Sequence, residues 1–371
     1  MSYYDYSCRR KNVAWNAAAN VIRDDDVEKA LAKEDLSPLD FWALLSPAAE
    51  DYLERMAKKA QKITLRHFGR TIQLYAPIYV SDYCDNQCLY CSFSARNRGA
   101  RRKLSLDEVE REAAFIAEAG LRQILLLTGE SKKESPLDYL RYCVRILRRY
   151  FSSIAIEVYP LAVEDYKTLV AEGVDGLTVY QETYNEDIYK SVHPAGPKRN
   201  FRFRLETPER GAHTGMRQVN IGALLGLADW RKEVFSLGMH AQYLQDRFPD
   251  VEIGASVPRL RPHAGAFQST CAVSDQNMVQ IVLALRLFMP RLSIALSTRE
   301  NSRFRDNLIP LGITRMSAGS ATSVGGYTAP LRNDNALSQF EIADHRSIPE
   351  VMAVIRRKGY EPVFNDWIFG I

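Results

Sequence analysis

The sequence has few of the features that mark secreted, membrane-bound or fibrous proteins. Its 371 residues include only six cysteines, which are too few for a secreted disulfide scaffold. It contains no run of about 18 apolar residues, so we expect no segment that spans a bilayer. The first residues lack the apolar core that a secretory signal needs. We therefore expect a cytoplasmic protein that does not associate with a membrane.

A strong charge of either sign is also absent. The net charge is +4, and basic residues are interleaved with acidic ones along the chain. We interpret the densest basic stretch, residues 96–103, as a solvated loop, because nucleic-acid binding needs a wider patch or a recognisable module. No nucleic-acid partner is therefore predicted. Hydrophobic residues make up 46% of the chain, an ordinary globular composition that allows a large core.

From residue 72 onward, short apolar runs of strand type alternate with amphipathic stretches of helical period. Alternation of this kind indicates parallel strands joined by crossover helices. Eight strands is the number in a closed TIM-type (β/α)₈ barrel of the α/β class, and a partly open barrel of six strands is the alternative. The eight predicted strands are residues 72–80, 123–127, 154–158, 176–180, 218–222, 252–256, 292–296 and 313–316.

The predicted elements divide the chain into three parts. Residues 1–70 contain no predicted strand and are expected to form a helical N-terminal extension. Residues 71–320 form the barrel, and residues 321–371 form a C-terminal segment that closes or covers it. Active sites of such barrels lie on the loops that follow the strands, so we expect the functional residues at that rim.

A group of cysteines follows the first predicted strand. Cys84, Cys88 and Cys91 form a Cys-x₃-Cys-x₂-Cys triplet. Three thiolates on one short loop can each bind one iron of a 4Fe–4S cluster and leave the fourth iron open to another ligand. The alternatives are a structural zinc site, which needs four ligands, and reduced cysteines that only pack. The other three cysteines are predicted to be buried as small hydrophobic residues.

Polar and ionisable residues follow several other predicted strands. The Gly129-Glu130 pair follows the second strand, Glu157 lies at the end of the third, and Arg299 follows the seventh. A glutamate offers a charged acceptor, and an arginine with nearby hydroxyls can bind the carboxylate of an amino acid. The alternative for the Gly129-Glu130 pair is a simple turn. The alternative for Glu157 is an ion pair with a basic neighbour, and that for Arg299 is a surface ion pair with Glu300. Their convergence on one rim favours a functional role.

The cysteine triplet after a first barrel strand resembles that of the radical S-adenosylmethionine (SAM) superfamily. Over nearly its full length, the chain resembles the aromatic amino-acid lyases of this superfamily, and most of all those that act on tyrosine in thiamine biosynthesis. The triplet is specific only to the superfamily, whereas LSTRE with SAGS, GGY and GALLGL is specific to the lyases. The segments that carry the resemblance are YVSDYCDNQCLYCSF, LLLTGE, QETY, NFRFRLETPER, GALLGLADWR, SVPRLRP, LSTRE, SAGS, GGY and NDW.

The resemblance implies two cofactors, a 4Fe–4S cluster on the three cysteines and SAM at its open iron. It implies that Tyr90, the residue before the last cysteine, packs beside the adenine. It also implies that Thr128-Gly129-Glu130, with threonine in place of the family's first glycine, binds the SAM amino group. Further contacts with SAM are predicted at Glu157, Gln181, Arg202, Arg204 and Gly222. The alternative for Gly222 is plain packing, and the alternative for Arg202 and Arg204 is a solvated surface position.

The resemblance further implies a substrate and a reaction. An adenosyl radical derived from SAM would take a hydrogen atom from L-tyrosine, and the Cα–Cβ bond would break to give 2-iminoacetate and p-cresol. Arg299 would bind the tyrosine carboxylate, with Thr298, Ser317 and Ser320 as supporting donors. The expected partners are a low-potential electron donor of the flavodoxin or ferredoxin type and a thiazole synthase that consumes the imine.

Related proteins supply the alternatives. The tyrosine lyase that matures iron-only hydrogenase shares the QFEIADHRS segment but carries a second cysteine-ligated cluster in a C-terminal domain. Because no cysteine follows Cys271 in this sequence, a second cluster is not expected. A tryptophan lyase, a deazaflavin-type synthase and a non-enzymatic iron–sulfur or zinc protein are the other hypotheses.

Overall fold

Eight parallel strands close into a barrel. A computed structural model describes residues 1–11, 22–328 and 337–364, so the NDW segment lies outside the described residues. Each strand pairs with the next along the chain, and the first also pairs with the eighth. The eight-stranded prediction is thus confirmed, and the six-stranded alternative is wrong. The strands are β1 Thr71–Ser81, β2 Gln123–Thr128, β3 Ser153–Glu157, β4 Gly176–Glu182, β5 Gln218–Ala223, β6 Glu252–Ser256, β7 Ser293–Leu296 and β8 Arg315–Ser317.

Helices follow the strands and cover the outside of the barrel. Several of them begin at a side chain that accepts from a free backbone N–H group, as Ser105 does from the N–H of Glu108 at 3.3 Å. The helices of the barrel and beyond are α5 Leu106–Glu118, α6 Leu137–Leu147, α7 Val163–Glu172, α8 Glu186–Val192, α9 Phe201–Leu205, α10 Thr207–Ala212, α11 Trp230–Arg247, α12 Asp275–Phe288, α13 Ser302–Leu308 and α14 Ile348–Arg357, with short 3₁₀ turns at Pro197–Arg199 and Ile309–Leu311.

Within residues 1–11 and 22–70, the structure before the barrel is mainly helical, as the sequence predicts. Within this extension, Phe41 stacks on Phe288 of α12 with 4.3 Å between the ring centroids. Gln280 of α12 donates to the carbonyl oxygens of Leu44 and Ser46 at 2.9 and 2.8 Å. These contacts fasten the extension to one side of the barrel. Its elements are α1 Tyr3–Lys11, α2 Asp24–Ala32, α3 Pro38–Leu45, the 3₁₀ helix Pro47–Tyr52 and α4 Leu53–Phe68.

A ninth strand, β9 Glu361–Val363, is absent from the sequence prediction. It pairs in parallel with Thr71–Gln73, at the start of β1. A three-residue strand that contains Pro362 has too short a hydrophobic pattern to be recognised from sequence. The predicted division of the chain after residue 320 stays a prediction.

Residues 337–347, which we name the strap, join the loop after β1 to the loop after β7. The carbonyl oxygen of Gln339 accepts from the N–H of Ser92 at 3.2 Å, and the N–H groups of residues 343 and 344 donate to the carbonyl oxygen of Thr298 at 2.9 and 3.1 Å. A fully buried ion pair between Asp344 and Arg305 of α13 anchors its far end. Among the described residues, no helix is both long and apolar enough to cross a membrane.

Candidate active site

A cavity of about 770 Å³, its opening included, lies at the carboxyl ends of the strands. Loops after β1, β2 and β7, the ends of β3 and β4, and the strap contribute its walls. This is the rim at which the sequence places the site, and ten of the sixteen predicted site residues line it. They are Cys84, Cys88, Tyr90, Cys91, Thr128, Gly129, Glu130, Glu157, Arg204 and Arg299.

The three cysteines of the triplet all face this cavity. Burial raises the pKa of the Cys91 thiol to about 12 and also raises the pKa values of Cys84 and Cys88. Thiols of this kind become metal-binding thiolates only when a cation compensates the charge, which iron supplies. The donor set therefore fits an iron–sulfur cluster.

In the described part of the chain, no three His, Cys, Asp or Glu side chains are grouped so that they could bind a single metal ion. A 4Fe–4S cluster does not require such a group, because each cysteine binds a different iron. The lack of such a group among the described residues therefore does not count against the cluster that the triplet predicts.

Arginine side chains hold the cysteine loop in place. Arg101 donates to the carbonyl oxygens of Asp82 and Phe93, both at 2.9 Å, and to that of Ser94 at 2.7 Å. The backbone N–H of Arg102 donates to the Asp82 carboxylate at 2.7 Å. The interpretation of residues 96–103 as a solvated loop is therefore wrong for the Arg101 side chain, whereas the Arg102 guanidinium is half exposed and pairs with Glu108.

Gly129 lets the end of β2 approach the cysteine loop. Its N–H donates to the carbonyl oxygen of Ser81 at 2.7 Å. A Cβ atom at this position would lie 2.9 Å from the carbonyl carbon of Tyr83 and closer still to its oxygen. These are backbone atoms that cannot rotate away, so the close approach requires glycine.

We expect Gly129→Ala to displace the cysteine loop and to lower iron–sulfur loading several-fold, with a loss of roughly 1–3 kcal/mol in the free energy of unfolding from overpacking. Iron and sulfide content after anaerobic reconstitution, together with thermal unfolding, measures both effects. Gly120→Ala is the matched control, because Gly120 has a positive φ of 95° but no atoms within 4 Å of the added carbon. That variant should lose stability and keep its cluster; equal loading of the two variants would contradict the role of Gly129.

Two ion pairs fix the charged groups beside the cysteines. Glu130 accepts from Arg204 and from Asn86, both at 2.8 Å. Lys198 donates to Glu182 at 2.7 Å. Burial alone would raise the pKa of Glu130, but the positive charges of Arg204 and Lys198 outweigh it and hold the pKa below its ordinary value. The Glu130 carboxylate is thus an ionised hydrogen-bond acceptor at the cavity wall.

Glu182 reaches the cavity through an unusual backbone conformation. It is the one non-glycine residue among those described with a positive φ, at 71°. The pairing of β4 with β5 is irregular between Tyr180 and Glu182. Because both of these residues line the cavity, the irregular backbone brings a carboxylate into the site that a regular strand would not place there.

Tyr90 is held by a buried histidine. The Tyr90 hydroxyl lies 2.6 Å from Nε2 of His193, whose Nδ1 lies 2.8 Å from the carbonyl oxygen of Tyr189. Burial and the nearby charge of Lys198 lower the pKa of His193 to about 2. The neutral ring therefore donates from Nδ1 and accepts the Tyr90 proton at Nε2, which fixes the orientation of the tyrosine ring at the cavity.

Arg299 lies on the side of the cavity formed by the strap. Its guanidinium carbon is 3.3 Å from the ring centroid of Phe340. The neighbouring Gln339 accepts from the hydroxyl of Tyr79 at 2.7 Å. Burial lowers the pKa of Arg299. An anionic ligand in the cavity would compensate this desolvated positive charge.

Three predicted SAM contacts do not line the cavity. Arg202 is half exposed and pairs with Asp5 and Glu206 at the surface. Gln181 is buried, and its side-chain amide has no hydrogen-bond partner among the described residues. A Cβ on Gly222 would collide with the ring of Tyr180, so packing against a cavity residue accounts for this glycine. The three SAM contacts stay predictions.

The predicted hydroxyl donors around Arg299 also do not reach the cavity. The backbone N–H of Thr298 donates to the Ser317 hydroxyl at 3.1 Å, so these two residues fasten the loop that carries Arg299. The hydroxyl of Ser320 is buried and unpaired within the described residues. The alternative of an Arg299–Glu300 pair is wrong, because Glu300 binds Arg259 and Arg261 instead.

Sequence reasoning missed several residues of the cavity. Asn86 lies within the cysteine triplet, and Glu182 lies within the QETY segment beside the predicted Gln181. The signal for these two was their position on a strand-end loop. Lys198 follows β4 by 16 residues, and the strap residues Gln339 and Phe340 are remote in sequence from every other part of the site. Gln339 and Phe340 open the QFEIADHRS segment, which the sequence identifies as a family resemblance but not as part of the site, and no local pattern distinguishes Lys198 from a surface residue.

Comparisons with known proteins agree with this geometry. The Radical SAM superfamily model matches residues 78–237, and the Biotin and Thiamin Synthesis associated domain matches residues 256–361. The chain is 42% identical to a 2-iminoacetate synthase of Escherichia coli over 92% of this chain and 90% of that protein. The corresponding protein of Salmonella typhimurium is 41% identical over the same shares.

Among solved structures, the FeFe-hydrogenase maturase HydG from Carboxydothermus hydrogenoformans superimposes with a TM-score of 0.84 at 33% identity, over 97% of this chain and 82% of that one. This similarity extends over the barrel and its N-terminal helices. Sequence identity is nonetheless higher to the two synthases, along nearly the whole chain. The protein therefore belongs to the 2-iminoacetate synthase family of the radical SAM superfamily.

Proposed function

We propose that this protein is a tyrosine lyase that cleaves the Cα–Cβ bond of L-tyrosine to 2-iminoacetate and p-cresol for the thiazole of thiamine. Its similarity to the two curated 2-iminoacetate synthases supports this function. The observation that carries the proposal is that Arg299 faces the cavity of the cysteine triplet with no carboxylate partner among the described residues. A guanidinium in that position is suited to bind the carboxylate of an amino acid next to a radical source.

The residues of the cavity wall divide between the two cofactors of the superfamily. Cys84, Cys88 and Cys91 would hold the 4Fe–4S cluster, which together with bound SAM would supply a 5′-deoxyadenosyl radical. The Thr128-Gly129-Glu130 element and Tyr90 contribute to the SAM site, and their shared cavity with the cysteines supports this role. The protein positions the reactants and excludes water, since the cofactors provide the difficult chemistry.

The chemistry also indicates the partners. Cleavage of tyrosine into p-cresol and 2-iminoacetate is redox-neutral, so electrons are needed only to cleave SAM to methionine and 5′-deoxyadenosine. A low-potential flavodoxin or ferredoxin is suited to that task. The imine hydrolyses in water, and a thiazole synthase that accepts it directly would prevent its loss.

An anaerobic assay tests the function. Reconstituted protein with dithionite, SAM and tyrosine should release p-cresol and 5′-deoxyadenosine. If a protein with a spectroscopically intact cluster forms neither, the proposal is wrong. Replacement of tyrosine by tryptophan, and measurement of carbon monoxide and cyanide, separate this lyase from a tryptophan lyase and from a hydrogenase-maturation enzyme, because only the proposed activity ends at 2-iminoacetate and cresol.

A further inference from the structure

The cavity wall carries equal numbers of acidic and basic side chains, but they are unequally paired. Glu130 pairs with Arg204 at 2.8 Å, and Glu182 pairs with Lys198 at 2.7 Å. One carboxylate and one guanidinium of the wall belong to neither pair. The charged groups of the wall are Glu130, Glu157, Glu182, Lys198, Arg204 and Arg299.

Glu157 and Arg299 are the two groups without an ion-pair partner. Within the described residues, no hydrogen bond or salt bridge engages the Glu157 side chain, and Arg299 contacts the ring of Phe340 rather than a carboxylate. Glu157 ends β3 and Arg299 follows β7, so they face the cavity from different parts of the barrel. The charges of Glu157 and Arg299 both influence the pKa values of Tyr79 and Tyr180, which lie near them. The two unpaired groups therefore border a common space.

We propose that Glu157 is a specificity-determining residue that binds the ammonium group of the tyrosine substrate while Arg299 binds its carboxylate. This assignment rests on the proposed function and replaces the sequence interpretation of Glu157 as a SAM contact. Desolvated, unpaired charges are costly, and a zwitterionic α-amino acid offsets both at once. An aromatic acid without an amino group would leave Glu157 uncompensated.

SAM also carries a zwitterionic end, but other residues are better placed to receive it. Glu130 and Lys198 are bound to the cysteine loop: Asn86 of that loop donates to the Glu130 carboxylate at 2.8 Å, and the backbone N–H of Lys198 donates to the Asn86 side-chain oxygen at 2.8 Å. Arg299 instead lies against Phe340 of the strap. The paired charges beside the cysteines are therefore the candidates for SAM's amino-acid end, which leaves Glu157 and Arg299 for the substrate.

The ionisation of Glu157 gives the binding a pH dependence. Burial and the charge of Glu182 raise the pKa of Glu157 to about 7. Below that pH the free side chain is neutral and cannot pair with an ammonium group, so tyrosine should bind more tightly as the pH rises from about 6 to about 8. The titratable and charged groups around Glu157 are Tyr75, Tyr79, Tyr180, Glu182, Lys198, Arg204 and Arg299.

The test compares two ligands on the reconstituted enzyme with SAM bound. L-Tyrosine and 3-(4-hydroxyphenyl)propanoate, which lacks the amino group, are titrated by calorimetry into the wild type, Glu157→Gln and the surface control Glu164→Gln. We expect Glu157→Gln to weaken tyrosine binding at pH 8 by about tenfold or more, to leave the propanoate affinity equal to that of the wild type or higher, and to abolish the pH dependence. The control should match the wild type, because Glu164 is exposed and pairs only with Lys167.

Each other outcome overturns the assignment. An equal loss of affinity for both ligands shows a general disturbance of the pocket. If the variant loses affinity for SAM but still prefers tyrosine over the propanoate, Glu157 is a contact of SAM rather than of the substrate. If the variant fails to assemble its cluster, the pH dependence in the wild type decides: tyrosine affinity must rise relative to propanoate affinity, and parallel curves refute the role. A wild type that releases no cresol instead refutes the lyase function, independently of which ligand Glu157 prefers.

Discussion

Cys88→Ala should abolish iron–sulfur assembly and, with it, the release of both p-cresol and 5′-deoxyadenosine. Cys88 is the middle cysteine of the triplet in sequence and is buried at the wall of the cavity. Two remaining thiolates would leave two irons of a cubane without a protein ligand, and such a cluster is not expected to persist. Reconstituted wild type should contain about four iron atoms per chain, and the variant close to none. Iron analysis and the visible absorption spectrum measure the difference.

Cys271→Ala is the matched control for this loss. Cys271 lies after β6, outside the cavity, and is a free cysteine of intermediate exposure. Of the three scattered cysteines, Cys143 is buried as predicted, whereas Cys8 and Cys271 are partly exposed. The control should keep full iron content and activity. Retention of a stable, active cluster by Cys88→Ala would show that the triplet does not hold it.

The barrel was predictable from sequence because its strands are buried on both faces. Runs such as residues 124–127 and 154–156 are almost continuously apolar, and turn residues separate them from amphipathic helices. Boundaries therefore differ from the prediction by at most two residues. β9 has no comparable signal, because its pairing depends on the start of β1, nearly 300 residues earlier in the chain.

The site was predictable wherever a functional residue follows a strand directly. Arg202 and Arg204 show where this reasoning ends. Both lie on the short helix α9, where residues two apart point in nearly opposite directions. Arg204 reaches Glu130 in the cavity, while Arg202 meets solvent. The NFRFRLETPER segment cannot show which side faces inward, because the choice depends on how α9 docks against β4.

The strap illustrates a second limit. Phe340 contacts Arg299 across 41 positions of sequence, through a segment with neither strand nor helix pattern. Its position depends on the buried Arg305–Asp344 pair and on backbone hydrogen bonds to Thr298. These are tertiary interactions, so a description based on hydrophobic periodicity contains no information about them. Only the three-dimensional structure adds the strap to the site.

Arg299→Ala should lower kcat/KM for tyrosine by a factor of roughly 100 or more and leave cluster content unchanged. Removal of one partner of a desolvated, hydrogen-bonded charge pair costs about 2–5 kcal/mol, which corresponds to about 30-fold to several thousand-fold. Arg299→Lys keeps the charge but loses the planar fork and its stacking on Phe340, so we expect it to lie between the wild type and the alanine variant.

The measurements that separate substrate binding from cofactor assembly are p-cresol formation, tyrosine affinity and iron content. Arg303→Ala is the matched control, because Arg303 lies four residues away on α13 and is exposed to solvent. It should match the wild type in all three. If Arg299→Ala lost iron and activity in equal proportion, Arg299 would stabilise the fold or the cluster. If instead tyrosine affinity fell while the cluster stayed intact, the guanidinium would be the group that fixes the substrate in the cavity that the cysteines share.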